Sequence, residues 1–265
     1  MKKVFNLISA DMGRLIKSKP VYITLIVNFA LSALSVLMLG WLLRSTGGGV
    51  ELEIGEELFK LVLLSAFATS NLGLFVGIAV SIFSSGDFAF NTFRNKIIAG
   101  NSRIKIYLST LAVGLVIGIF FFVFNLIISM FGAAIVSQGF HFTGELVGII
   151  ALFFALYLAI TATIIFVSMA VKSRAASIGI NLGVVMFLSV ALMIVTAIPR
   201  RAAEIIVMSI PHGIVDRVAM EAMTMMGEGT AINGHFVGVA LLVSAIYFVV
   251  ATILGAIKFK YTSIK

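Results

Sequence analysis

The 265 residues include no cysteine, which excludes disulfides, thiolate metal sites and a cysteine nucleophile together. Charge is scarce as well: Asp, Glu, Lys and Arg supply 11% of the chain, against 61% hydrophobic residues. Soluble domains carry about 25% charged and about 45–50% apolar residues, so a water-soluble globule is excluded. Catalytic signatures are missing too. There is no H-E-x-x-H, no G-x-S-x-G and no histidine cluster within an apolar run, which removes the common metalloprotease and serine-hydrolase patterns. His141, His212 and His235 are scattered over two connecting segments. No Gly-Lys dipeptide occurs, so the chain lacks the phosphate loop G-x-x-x-x-G-K-[ST] and does not bind ATP that way. Finally, no ionisable residue falls near the middle of a long apolar run. Proton relays need such residues, so a self-powered proton antiporter is disfavoured, while sodium coupling through carbonyls and hydroxyls stays open.

What is present is apolar length. The mean hydropathy is +1.17, and six stretches, about 21–43, 61–84, 107–136, 146–171, 177–198 and 236–257, reach the roughly 20 residues that a helix needs to cross a hydrocarbon core. Backbone groups in lipid must be satisfied within the segment, so these are helices. The expected fold is all-α: a single polytopic membrane domain over 1–265 with six transmembrane helices. Met1-Lys2-Lys3 starts like a signal peptide, but the apolar run begins only at Val21 and is too long for one, so the segment is expected to be retained.

Charge sets the expected orientation. Fourteen of the nineteen Lys and Arg residues fall in the N-terminal segment, the second and fourth connections and the C-terminal tail; nine of the eleven acids fall on the other side, leaving only Asp11 and Asp87 among the cations. The positive-inside rule then places both termini in the cytoplasm; the expected location is a bacterial cell membrane. The rule also accounts for the net charge of +8 without a nucleic-acid partner. Single cysteines test this cleanly. Ser102→Cys and Ser173→Cys should be shielded from an impermeant thiol reagent in intact cells, while Ser137→Cys and Thr230→Cys should label. Labelling at position 102 from outside would overturn the arrangement.

The stretch "GDFAFNTFRNKIIAGNSRIKIYLS", residues 86–109, sits between two apolar runs and carries Arg94, Lys96, Arg103 and Lys105 against one acid, Asp87. Placing four cations in the bilayer centre would cost about 10–14 kcal/mol, so this segment is aqueous. Phe90, Phe93 and Ile97 recur at i, i+3 and i+7, one helical face, with Asp87 as N-cap and Gly100-Asn101-Ser102 as the stop. A short amphipathic cytoplasmic helix over 87–99 is expected. Residues 1–19 repeat the theme: Val4, Leu7, Ile8, Leu15 and Ile16 form an apolar stripe with cations between them, the pattern of a helix lying along the inner leaflet, and Pro20 turns the chain into the membrane. On the outer side, 199–235 reads as two short helices broken at Pro211-His212-Gly213. Asn28, Asn71, Asn125 and Asn181 lie inside four of the spans. They either line a polar path or hydrogen-bond neighbouring helices. G-x-x-x-G occurs at Gly73/Gly77, Gly114/Gly118 and Gly179/Gly183, a weak signal of close helix packing.

In layout, the chain resembles the permease subunits of ATP-binding-cassette exporters of the type-2 class. The likeness is most specific in "DFAFNTFRNKIIAGNSRIKIYLST", where Asp87, Thr92, Arg94, Gly100, Ser102-Arg103 and Tyr107-Leu108-Ser109 are in step with the family, while Asn91 and Thr110 depart from its usual Gly and Lys. "SADMGRLIKSKPVYI" is similar to the family's approach to its first span. The resemblance implies two permease subunits, as a homo- or heterodimer, working with two cytoplasmic ATPase subunits that bind ATP and Mg; this chain would hold no cofactor or metal and would not be an enzyme. Residues 87–99 would be the coupling helix, acting through Asp87, Phe90, Thr92, Phe93, Arg94, Ile97 and Arg103, and Lys172 and Arg174 a second, shorter contact. The apolar walls with scattered Asn, Ser and Thr suit an amphipathic substrate, and the acidic outer residues favour a cationic one: a peptide or peptide-like antibiotic moved outward. A non-transporting sensor or assembly component, using the same helix for another partner, is the alternative.

Overall fold

The computed structural model describes residues 2–45, 73–136, 144–195, 200–224 and 234–261. Among these the chain forms ten helices and no strand: α1 (Lys2–Ile16), α2 (Lys19–Ser45), α3 (Leu74–Ala89), α4 (Thr92–Ile98), α5 (Arg103–Val136), α6 (Gly144–Val171), α7 (Arg174–Val195), α8 (Arg200–Met208), α9 (Pro211–Thr224) and α10 (Gly234–Tyr261). Five are long and apolar enough to cross a membrane, within α2, α5, α6, α7 and α10; α3 and α4, bent by 60° at their junction, would make a sixth if counted together. The expected second span is described only from Gly73 onward, so its first part, with Asn71, lies outside the described residues.

α6 is the centre of the bundle. Leu146, Ile149, Leu152, Phe153, Leu156 and Tyr157 are all buried, and α10, α5, α3 and α7 pack around it. The α5–α6 approach is close because α5 has glycine where the two helices meet: a Cβ at Gly114 would strike Ile165, and one at Gly118 would strike Thr161. A Cβ at Gly179 or Gly183 would meet nothing within 4 Å, so among the described residues that third G-x-x-x-G pair makes no close helix contact. Ile26, Phe187 and Ile253 are among the many exposed apolar side chains of α2, α7 and α10. In lipid this carries no penalty, since acyl tails are as apolar as the side chains themselves.

α5 has 34 residues, about 51 Å at 1.5 Å per residue. The hydrocarbon core is about 30 Å thick, so α5 overshoots it and its first turns, with Arg103 and Lys105, can stand beyond the apolar layer. α1, α4 and the last turns of α10 gather at this same end. The two short helices expected within 199–235 are present as α8 and α9. Pro211 takes the first position of α9, where its missing N–H has no intrahelical partner to lose, and Ile214, Val215 and Val218 anchor that helix in the bundle.

Candidate functional site

The expected helix over 87–99 is not one element. α3 runs on to Ala89, and Phe90 N–H still donates to the Gly86 carbonyl at 3.0 Å. The chain then turns through Asn91 at φ 54, a left-handed conformation that Asn tolerates better than most residues, and α4 begins at Thr92. Asp87 is therefore not an N-cap. It sits in the last turn of α3 with no exposed surface, because its carboxylate is committed to two cations.

Those cations are Arg14 and Lys96, and the second acid, Asp11, completes the group. Lys96 Nζ lies 2.7 and 3.0 Å from the two Asp11 oxygens and 3.1 Å from Asp87 Oδ2. Arg14 pairs with Asp87 and reaches Asp11 at 3.8 Å. The Ser109 hydroxyl donates to Asp11 Oδ2 at 2.7 Å, and the Arg14 guanidinium lies 4.4 Å from the centre of the Phe83 ring. Two carboxylates face two cations, so the cluster is formally neutral. It ties α1 (Asp11, Arg14), α3 (Asp87), α4 (Lys96) and α5 (Ser109) at one end of the bundle. Burial pushes the Arg14 guanidinium below its ordinary pKa, with the Asp11 charge opposing. Removing one member of such a group leaves an uncompensated buried charge, and that is costly.

The other inward-facing side of α4 is aromatic. Phe93 is 1% exposed, with ring centroids 4.5 Å from Phe88 and 5.2 Å from Phe259 near the end of α10, both tilted or edge-on as aromatic pairs prefer. Tyr107 joins at 6.3 Å from Phe259, seated where α10 has only a hydrogen: a Cβ at Gly255 would collide with its ring and hydroxyl. Arg103, at the start of α5, is half-buried and reaches the end of α10. One of its guanidinium nitrogens donates to the Lys260 carbonyl at 3.0 Å, a cation at a helix C-terminus, where the backbone dipole is negative.

The predicted face of Phe90, Phe93 and Ile97 is thus split. Phe93 faces inward and Ile97 is half-buried against the core, while Phe90 and Ile98 are 72% and 73% exposed. Arg94 is exposed as well, and Thr92, the first residue of α4, is half-buried. The outward surface is Phe90, Arg94 and Ile98, four residues apart. The second expected contact lies beside the first: Arg174, at the start of α7, holds its guanidinium 5.5 Å from the Phe90 ring centre, next to the exposed turn at Lys172.

Three of the four span asparagines are described, and all three are hydrogen-bonded between helices. Asn28 Nδ2 and the Ser32 hydroxyl both donate to Asn125 Oδ1, at 3.0 and 3.1 Å, and Asn125 Nδ2 donates to the Tyr157 hydroxyl at 2.7 Å. Asn181 Nδ2 donates to Ser81 and Ser168 at 2.7 and 3.1 Å. All three amides are buried, one group joining α2, α5 and α6 and the other α7, α3 and α6. Of the two readings open for these residues, interhelical bonding describes Asn28, Asn125 and Asn181 as they stand.

Sequence reasoning missed Asp11, Arg14, Lys96, Ser109 and Phe259 as parts of this site. One signal did mark it: Asp11 and Asp87 stand alone as acids among fourteen cations. No model of a known protein family matches the chain, and no curated protein matches it either.

Proposed function

We propose that the chain is the membrane-spanning permease subunit of an ATP-driven exporter, driven through α4 by a separate cytoplasmic ATPase. One observation carries the reading. A short helix, tied to α1, α3, α5 and α10 on its inner side, and the turn that leads into it leave Phe90, Arg94 and Ile98 exposed with Arg174 alongside. Apolar anchors ringed by steering charge are what a protein interface uses. Positive-inside topology alone accounts for the cations but not for two large exposed apolar side chains beside them. ATP and Mg belong to the partner, since no phosphate loop exists here. A second permease subunit shares the bilayer, both termini face the cytoplasm of a bacterial cell, and nucleic acid has no part. The apolar walls favour export of an amphipathic, cationic peptide or peptide-like antibiotic.

The test is co-purification from native membranes in mild detergent. The unaltered chain should carry an ATPase subunit that has a phosphate loop and no spans. Phe90→Asp with Ile98→Asp should lower the recovered partner at least tenfold while the permease stays monodisperse. Recovery of the unaltered chain without any nucleotide-hydrolysing partner would defeat the reading. With the complex reconstituted, amphipathic cationic peptides should stimulate hydrolysis; stimulation by a carrier-lipid glycan or sodium alone would defeat the substrate assignment.

A further inference from the structure

We infer that α4 is a lever, hinged at Asn91 and Gly100, which pivots on Phe93 and is held in its resting position by Lys96. The inference rests on the reading of α4 as the docking element and names the part of it that moves. Among the described residues, left-handed backbone occurs at only four positions, and two of them bracket this seven-residue helix: Asn91 at φ 54 and Gly100 at φ 80. A Cβ at Gly100 would meet nothing within 4 Å, and Asn91 makes no side-chain cap. Side-chain packing therefore holds neither hinge residue, and the C-terminal one is closed by hydrogen bonds alone: Gly100 N–H to the Ile97 carbonyl at 2.9 Å, and Asn101 N–H and Nδ2 to the Lys96 carbonyl at 3.3 and 3.1 Å. Such positions, at the ends of an element, are where a hinged motion absorbs its dihedral change.

Between the hinges two inner anchors differ in kind. Phe93 is enclosed by Phe88 and Phe259, and a ring leaving that site would expose apolar surface with nothing to replace the contacts. Lys96 is a single ammonium on a flexible stem, its side chain 10% exposed against 33% for Arg14, and its charge recovers hydration on leaving. Without it each remaining member keeps a partner but the group carries one uncompensated negative charge, which makes the engaged position of Lys96 the resting one. Arg14 still faces both carboxylates, Ser109 still donates to Asp11, and α1 stays on α5 through buried Leu7 and Leu15. Release of Lys96 therefore frees the C-terminal half of α4 without freeing α1. The outward face carried by Arg94 and Ile98 moves with it, while Phe93 keeps the motion in contact with Phe259 at the end of α10.

The isolated full-length chain in nanodiscs tests this without any partner, and the absence of native cysteine makes labelling unambiguous. Spin labels at Ser9→Cys on α1 and Asn95→Cys on α4 should give a narrow distance distribution. Lys96→Met should at least double its width, and Lys96→Arg, which keeps the charge, should keep it narrow. A control pair, Ser9→Cys with Lys105→Cys on α5, should stay narrow in all three. An unchanged width for the first pair in Lys96→Met, equal broadening of both pairs, or a Lys96→Arg chain as broad as Lys96→Met would each overturn the lever. Should Lys96→Met not fold, amide hydrogen exchange on the unaltered chain decides. Residues 92–99 should exchange together, at least tenfold faster than 103–110; equal rates would overturn it. Loss of partner binding in the Phe90/Ile98 variants is read in a different experiment, so failure of the docking assignment leaves these distances untouched.

Discussion

Asp87→Ala should lower the stability of the detergent-solubilised chain by about 3–5 kcal/mol, the range found when one partner is removed from a buried ion pair. The carboxylate is fully buried and holds Arg14 and Lys96 together. Without it, two cations share Asp11 alone in a largely buried site. The exposed pair Arg217–Glu204, at 3.7 Å with side chains 32% and 43% exposed, provides the contrast. Exposed pairs contribute about 0–1 kcal/mol, so Glu204→Gln should scarcely move the thermal transition. A paired replacement separates charge from packing. Arg14→Met with Asp87→Leu removes one cation and one anion, keeps the cluster neutral, and should recover more than half of the loss, because a buried ion pair replaced by apolar groups of similar size is often neutral. The readout is the melting transition followed by monodispersity after heating. A shift for Asp87→Ala no larger than that for Glu204→Gln would show that the cluster does not hold this end of the bundle.

The membrane fold was legible because composition decides it: a helix that crosses lipid must be long, apolar and internally hydrogen-bonded, and α2, α5, α6, α7 and α10 all announce themselves by length. Their ends were less so. The apolar run beginning at Tyr107 understated α5, which starts at Arg103, since a helix that overshoots the hydrocarbon continues through polar residues. The α3–α4 junction failed for a related reason. Counting 3.6 residues per turn from Asp87 puts Phe90, Phe93 and Ile97 on one face, but the chain bends by 60° before α4 begins, and the count restarts at Thr92. From there Phe93 and Ile97 point inward, and Arg94 and Ile98 outward. The ionic cluster lay beyond periodicity altogether, because Lys96 and Asp11 are 85 residues apart. Only the rarity of acids on the basic side hinted at it. The span asparagines were recognised as polar groups of two possible roles, and for Asn28, Asn125 and Asn181 the bundle supplies partners from one another and from Ser32, Tyr157, Ser81 and Ser168.

Phe93→Ala and Phe90→Ala, three residues apart on the same short segment, should behave in opposite ways. Phe93 is 1% exposed and stacked against two rings. Truncating a buried Phe costs about 3–5 kcal/mol, part transfer and part cavity, and the lost aromatic pairs fall within that range. Phe93→Asp should be worse, since the new carboxylate would be buried beside Phe88 and Phe259 with only Lys96, already engaged by Asp11 and Asp87, within reach. Such a chain is expected to aggregate on extraction. Any loss of partner binding in it would therefore report damage to the bundle, not to the docking surface. Phe90 is 72% exposed, so Phe90→Ala should change stability by no more than about 0.5 kcal/mol, with the loosened Arg174 contact the only intramolecular consequence. If the outward face is the docking surface, the same substitution should cut ATPase recovery severalfold. Thermal stability and partner recovery, measured on both variants, must then separate: Phe93→Ala loses the first, Phe90→Ala the second. A Phe93→Ala chain as stable as the parent would mean that α4 is not anchored through that ring. A Phe90→Ala chain that keeps its ATPase in full would mean that the partner docks elsewhere.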